Sequence, residues 1–178
     1  MNSLKSLHIQ KASLDDLQMV ISLLKECAQW MKDGNIDQWR YLLEGGEDLE
    51  IKSAIERNET YTVMKNEQLV ATFTLSPQQT EWDVHIFGKD EVGNCLYLHR
   101  LAVSPSFMNK GIGKEILNWI EINANEKQDK DNIILDCVAN NRKLNQFYAD
   151  NGFQYIGESD RHSKYRKPLL RREDERIF

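Results

Sequence analysis

The chain has 178 residues, 28 acidic against 23 basic side chains, a formal charge of −5 and 40% hydrophobic residues. That length suits one domain with a single substantial core, expected over residues 1–170. The acidic balance argues against a protein that works on nucleic acid, which as a rule shows a basic face, and no stretch is long and apolar enough to span a bilayer.

Leu7 to Ala12 reads as a first strand. Ser13 then caps a helix with Asp15 and Asp16 in its first turn. Leu17, Val20, Ile21, Leu24, Ala28 and Met31 form one apolar stripe along that helix, and Gly34-Asn35 ends it. Leu49 to Arg57 is a second, shorter helix. Thr60 to Lys65 and Leu69 to Ser76 are strands of a hairpin around the polar turn Asn66-Glu67-Gln68. Leu96 to Val103 is the next strand, and Gly111 to Lys127 the helix after it, with Ile112, Ile116, Trp119 and Ile120 on one face. Ile133 to Cys137 is short and apolar, as a buried parallel strand should be. Arg142 to Asn151 is a helix ended by Gly152. Phe153 to Glu158 and Tyr165 to Leu169 are closing strands, and Arg171 to Phe178 is a loose charged tail. This is an α/β layout without internal repeats.

Cys27, Cys95 and Cys137 lie in apolar surroundings without metal-like spacing. They read as buried free thiols of a reducing compartment, and no metal is expected. The first residues, Met1 to His8, lack the apolar run of a secretion signal, so the expected location is cytoplasmic.

The most informative stretch is Leu101-Ala102-Val103-Ser104-Pro105-Ser106-Phe107-Met108-Asn109-Lys110-Gly111-Ile112-Gly113-Lys114-Glu115-Ile116-Leu117. It runs from an apolar strand through a short loop to two glycines that open an amphipathic helix. Glycines let backbone N–H groups approach a ligand closely, and a helix N-terminus favours an anion, so a phosphate or pyrophosphate is the natural guest. A P-loop would need Ser or Thr where Glu115 stands, and a dinucleotide fingerprint would need a third glycine where Ile116 stands. The remaining pattern, Q/R-x-x-G-x-G/A after a strand ending Leu-Ala-Val-x-Pro, fits at both glycines and departs at Met108.

With that pattern the chain resembles the GNAT superfamily of N-acetyltransferases, as a bacterial-type member. A second segment, Asn141-Arg142-Lys143-Leu144-Asn145-Gln146-Phe147-Tyr148-Ala149-Asp150-Asn151-Gly152-Phe153, is similar to the family's N-x-x-A-x-x-x-Y-x-x-x-G-F helix, with Leu144 in place of Ala. The resemblance covers Leu96 to Phe153 by motif and is only topological before that. It implies a mixed, mostly antiparallel sheet flanked by helices and splayed between the strands ending at Val103 and Cys137. It also implies acetyl-CoA as co-substrate and a primary amine as acceptor; from the charge and the hydropathy above, neither nucleic acid nor membrane is expected as a partner. A homodimer is compatible with it, although no residue points to one.

Carried over residue by residue, the resemblance gives the pyrophosphate to the backbone of Met108, Asn109, Lys110, Gly111, Ile112, Gly113 and Lys114. Lys110 and Lys114 add charge there or are simply solvated helix lysines. Leu101, Ala102 and Val103 belong to the strand whose backbone bonds the pantetheine and acyl group, and Asn141 contacts the pantetheine or serves as a helix N-terminal residue. Tyr148 matches the tyrosine that protonates or hydrogen-bonds the departing sulfur, a role that suits a phenol; the alternative is a core aromatic paired with Phe147. For the base, many members use a Glu where this chain has Tyr97. His99 resembles a histidine of the arylalkylamine branch, where the strand also ends His-x-Leu-Ala-Val, and an imidazole can titrate near neutrality. Strand alternation puts His99 on a face with Tyr97 and Leu101; a structural histidine is the alternative, and His85 ranks lower as base. Cys137 sits in an apolar strand, where a thiol is inert rather than an acyl carrier.

The acceptor side is expected around the first two helices, with Trp30 and Trp39, and around Trp82, His85 and Tyr97. The tryptophans there either stack an amine-bearing acceptor or are plain core. The expected function is therefore acetyl transfer from acetyl-CoA to the primary amine of a small molecule, by direct attack in a ternary complex. The alternatives are an acyl-CoA sensor or interaction module without catalysis, and an acetyltransferase for a protein or peptide amine.

Overall fold

The computed structural model describes residues 7–124 and 130–169; the expected tail from Arg171 to Phe178 and the end of the helix drawn to Lys127 lie outside them. The elements are β1 (His8–Lys11), α1 (Leu17–Asp33), α2 (Arg40–Leu43), α3 (Asp48–Glu56), β2 (Thr60–Lys65), β3 (Gln68–Ser76), α4 (Glu81–Phe87), β4 (Cys95–Val103), α5 (Ile112–Asn123), β5 (Asn132–Val138), α6 (Arg142–Asp150), β6 (Gln154–Ser159) and β7 (His162–Pro168). Strand order is β1-β2-β3-β4-β5-β7-β6, seven in one sheet. β4 and β5 run parallel, whereas β1–β2, β2–β3, β5–β7 and β6–β7 are antiparallel. This is the mixed α/β, mostly antiparallel arrangement expected. No helix among the described residues is long and apolar enough to cross a membrane.

The chain divides into two compact units, one running up to Leu75 and joined by His99–Ile112, the other made of Ser76–Leu98 and the chain from Gly113 onward. In the first unit the stripe on α1 is buried as its spacing requires. Val20, Leu24, Cys27 and Ala28 pack with Leu42 of α2, Ile51 and Ile55 of α3, Leu69 and Ala102. Each buried Val, Leu or Ile among them contributes roughly 1.5–3 kcal/mol by leaving water. The start of α1 differs from expectation: Leu14–Asp16 is a 3-10 turn, closed by the Ser13 N–H donating to Asp16 Oδ2 at 2.8 Å, and the α-helix begins only at Leu17. The β2–β3 hairpin turns on Asn66 and Glu67, at φ 50° and 64°, while Gln68 already pairs with Lys65. Such a left-handed pair matches the twist of the two strands it joins.

In the second unit β7 lies between β5 and β6, paired from Asn132↔Pro168 to Val138↔His162. It starts at His162, three residues before the strand drawn from Tyr165. Two helices lie outside the elements expected from the sequence. α2 has four residues and is too short to show a helical period. α4 carries a readable signal: Thr80 Oγ1 accepts from the Asp83 N–H at 3.2 Å while Asp83 Oδ2 accepts from the Thr80 N–H at 2.8 Å. That is a capping box with the shorter acid, and Gly88 at φ 78° follows the last turn.

α6 ends in a double backbone clasp. Gly152 N–H donates to Ala149 O at 3.2 Å and Phe153 N–H to Tyr148 O at 3.1 Å, with Gly152 at φ 83°. A Cβ on Gly152 would lie 3.2 Å from Lys167 Cε in a backbone conformation that L-residues avoid. Gly152→Ala should therefore lower stability by about 1–2 kcal/mol, read as a shift in the denaturant midpoint. An unchanged midpoint would mean that the turn does not hold this conformation.

Candidate active site

The glycine cradle is built locally. β4 delivers Ser104, whose N–H donates to Val70 O at 2.8 Å and moors the loop to β3. A 3-10 turn follows at Pro105–Phe107, and then Asn109 and Gly111 take left-handed φ values of 59° and 79°. Alternating backbone hands turn successive N–H groups towards one point, the geometry of an anion nest. α5 opens directly behind it with Ile112, Ile116, Leu117 and Ile120 buried. Nothing lies within 4 Å of where a Gly111 Cβ would be, so the space above it is open. Gly113 is glycine for a different reason: a Cβ there would come 2.9 Å from Phe147 Cζ, so the bare backbone lets α5 approach α6. The Lys110 ammonium lies over the Phe107 ring, 5.1 Å from its centroid. The cradle therefore fits a pyrophosphate in conformation, open space and helix end.

β4 departs from simple alternation. Arg100 has φ 48°, a left-handed residue inside a strand, so the period-two reading that put His99 on one face with Leu101 does not carry across it. His99, Leu101 and Val103 are half-buried and Ala102 is buried. Arg100 Nη1 pairs with Glu47 Oε2 at 3.1 Å, and the Cys27 thiol donates to Val103 O at 3.3 Å.

In the second unit the β5–α6 turn places Asn141 and Tyr148. Asn141 caps α6, its Oδ1 accepting from the Leu144 N–H at 3.2 Å. Asn145, which sequence reasoning passed over, fastens the turn: its Nδ2 donates to Val138 O at 3.1 Å and to Asn141 O at 2.8 Å, and its Oδ1 accepts from the Tyr165 hydroxyl at 2.8 Å. Tyr148 is buried among the rings of Phe147, Phe153 and Tyr165, at 5.2, 5.6 and 5.9 Å. Burial, with smaller contributions from Cys137 and Asp136, holds its phenol well above the ordinary tyrosine range. It stays protonated at any physiological pH.

The remaining candidates separate. Trp39 sits at φ 60° and packs half-buried on the α1–α3 core, whereas Trp30 is exposed. Tyr97 is buried beside Cys95 and Ile134, edge-on to Phe87, and donates to Asp90 Oδ2 at 3.4 Å; burial pushes its phenol up as well. His85 is exposed, with Nε2 3.0 Å from Asp160 Oδ2, and this hydrogen bond holds the Asp160 carboxyl below its ordinary range.

The three cysteines are free and buried. Burial, with Glu26 and Asp136 adding to it, pushes Cys27 and Cys137 from 9.0 up to about 12. Their folded values exceed the unfolded one, so their stabilising contribution is complete below the unfolded value and is lost as pH rises towards the folded one. The midpoint of thermal unfolding is therefore expected to fall steadily above pH 9.0 and towards about 12. A Cys27→Ala, Cys137→Ala double variant should show a shallower fall, and an identical slope would remove the thiols as its cause.

The sequence model of the acetyltransferase (GNAT) family matches residues 24–153. The N-acetyltransferase YesJ of Bacillus subtilis is 36% identical over 146 residues, covering 82% of this chain and 81% of that protein. Among solved structures, a GNAT-family acetyltransferase of Listeria monocytogenes superposes with a TM-score of 0.77 at 25% identity, over 92% of this chain and 95% of its own. The PaiA N-acetyltransferase of Thermoplasma acidophilum, solved in complex with coenzyme A, has a TM-score of 0.71 at 21% identity over 92% of this chain and 99% of its own.

Proposed function

Because the chain belongs to the acetyltransferase (GNAT) family, we propose that it transfers the acetyl group of acetyl-CoA to the primary amine of a small molecule, by direct attack in a ternary complex. The observation that carries this reading is the cradle: left-handed Asn109 and Gly111, open space above Gly111, and a helix of 12 residues starting behind it. Backbone N–H groups from Met108 to Lys114 hold the pyrophosphate, and the backbone of Leu101, Ala102 and Val103 aligns the pantetheine and acyl chain, with Asn141 assisting. The coenzyme A complex of the Thermoplasma relative, which has the same fold, supports the choice of donor.

In the transfer, the amine nitrogen forms the new C–N bond to the acetyl carbon, and the C–S bond breaks. The sulfur leaves as a thiol with a proton from Tyr148; one proton of the ammonium goes to a base, for which His99 is the candidate on β4, and the second, lost from nitrogen as the amide forms, returns through solvent to the Tyr148 oxygen. A phenol held protonated by burial suits the first role. Direct attack is supported by Cys137, whose thiol at about 12 is a poor nucleophile for an acyl-enzyme route.

The test is thiol release from acetyl-CoA against a panel of polyamines, arylalkylamines, amino acids, aminoglycosides and short peptides. Release that depends on a small amine, with intersecting initial-rate lines, is the expected result. Parallel lines would replace the ternary complex by an acyl-enzyme. Tight coenzyme binding with no release from any amine would leave an acyl-CoA sensor instead, and release with peptides alone would move the acceptor to a protein amine.

A further inference from the structure

Alternation along β7 sends its side chains to two faces. Ser163, Tyr165 and Lys167 share the inner one, opposite the buried Cys137, Leu135 and Ile133 of β5, while Arg166 between them is exposed. α6 lies over that inner face, and β7 holds it at both ends. At its first turn the Tyr165 hydroxyl donates to Asn145 Oδ1 at 2.8 Å. At its last, Lys167 Nζ donates to the Asn151 carbonyl at 2.9 Å and to Glu121 Oε2 of α5 at 3.0 Å, and lies 5.8 Å from the centroid of the Phe153 ring.

The spacing along α6 gives these two attachments their meaning. Asn145, Tyr148 and Asn151 recur every third residue, so they are neighbours on the helix surface, about 4.5 Å apart along its axis. Tyr148 therefore sits midway between the two anchors. Its ring packs on Phe147, Phe153 and Tyr165, but apolar contact is non-directional and lets a helix slide or rotate slightly. Hydrogen bonds do not, because they weaken steeply with angle. The Lys167 bond is also charge-assisted and meets the negative end of the helix dipole. The Asn145 amide is itself fixed, its Nδ2 donating to Val138 O and Asn141 O, so Tyr165 grips a group already tied to the β5–α6 turn.

We propose that Tyr165 and Lys167 are positioning residues for acetyl transfer: by holding both ends of α6 they fix the Tyr148 hydroxyl where the sulfur departs. Their polar groups bond to the ends of the helix, and their effect on the reaction passes through Tyr148. Alignment matters on this scale, because a misplacement of about 1 Å can cost roughly a hundredfold in rate. Lys167 also ties α6 to α5 through Glu121, so one side chain on β7 joins the ends of both helices. That the aligned phenol serves acetyl transfer rests on the acetyltransferase reading above.

The test separates the two claims. Tyr165→Phe keeps the ring and removes only the hydroxyl; Lys167→Met keeps a stem of similar length and removes the ammonium. Each should lower kcat roughly tenfold with the KM for acetyl-CoA unchanged, and Lys167→Arg, which restores a charged donor, should recover most of the loss. In a Tyr148→Phe background neither change should lower kcat further, since the group being positioned is gone. With tyrosines carrying carbon-13 at Cζ, the resonance missing from Tyr148→Phe should move in Lys167→Met, a change made beside the last turn of α6. A resonance that stays in place, wild-type kcat in both variants despite a lowered Tm, or losses that add to that of Tyr148→Phe would each overturn the positioning role and leave acetyl transfer standing. A shifted resonance in a protein that turns over no amine would leave the clamp on α6 and overturn the acetyltransferase reading instead.

Discussion

Tyr148→Phe is expected to lower kcat by roughly a hundredfold while the KM for acetyl-CoA changes little. The substitution removes one oxygen from a ring that is 5% exposed and packed against Phe147, Phe153 and Tyr165. The surrounding cluster and the Gly152 clasp keep the helix in place, so the loss would fall on proton delivery to the sulfur. The pH profile adds a second reading. A raised phenol is a donor below its folded value, so the loss of rate that an ordinary tyrosine would cause near pH about 10 moves to higher pH. Equal kcat for Tyr148→Phe and wild type at saturating substrates would take Tyr148 out of the mechanism.

Those features were legible where the signal is local. The glycine pair, the helix expected over Arg142–Asn151 and the β2–β3 hairpin are each written in contiguous residues, and each forms within a residue or so of where it is expected. What escaped notice depends on contacts far apart in sequence or on conformations without a compositional mark. Arg100 turns left-handed inside β4 although nothing in an arginine announces such a backbone. Asn145, Tyr165 and Lys167 read as ordinary helix and strand residues until β7 inserts between β5 and β6 and meets both ends of α6. α4 itself is readable from Thr80, Asp83 and Gly88, but an apolar period is a weak signal over seven residues.

The Glu47–Arg100 pair should be the other sensitive point. An L-residue in the left-handed region costs about 1–2 kcal/mol, and it persists only where its surroundings over-determine it. Here the guanidinium, 13% exposed, is tied to a carboxylate 29% exposed. Glu47 also starts α3, its carbonyl accepting from the Ile51 N–H at 2.9 Å. Removing the charge with Glu47→Gln leaves a partly buried cation without its partner and should cost about 1–3 kcal/mol, roughly 2–12 °C in Tm for a chain of this size. Arg100→Ala should be worse than Arg100→Gly by about 1 kcal/mol, because glycine alone relieves the backbone while both lose the pair. The double variant Glu47→Gln, Arg100→Gly should be less damaged than the sum of its singles. Equal stability of the Ala and Gly variants would mean that β4 is not strained at Arg100. Additive singles would mean that the pair does not hold that conformation. Because Arg100 directly precedes Leu101, where the acyl chain is proposed to lie, relaxing it should lower kcat as well as Tm.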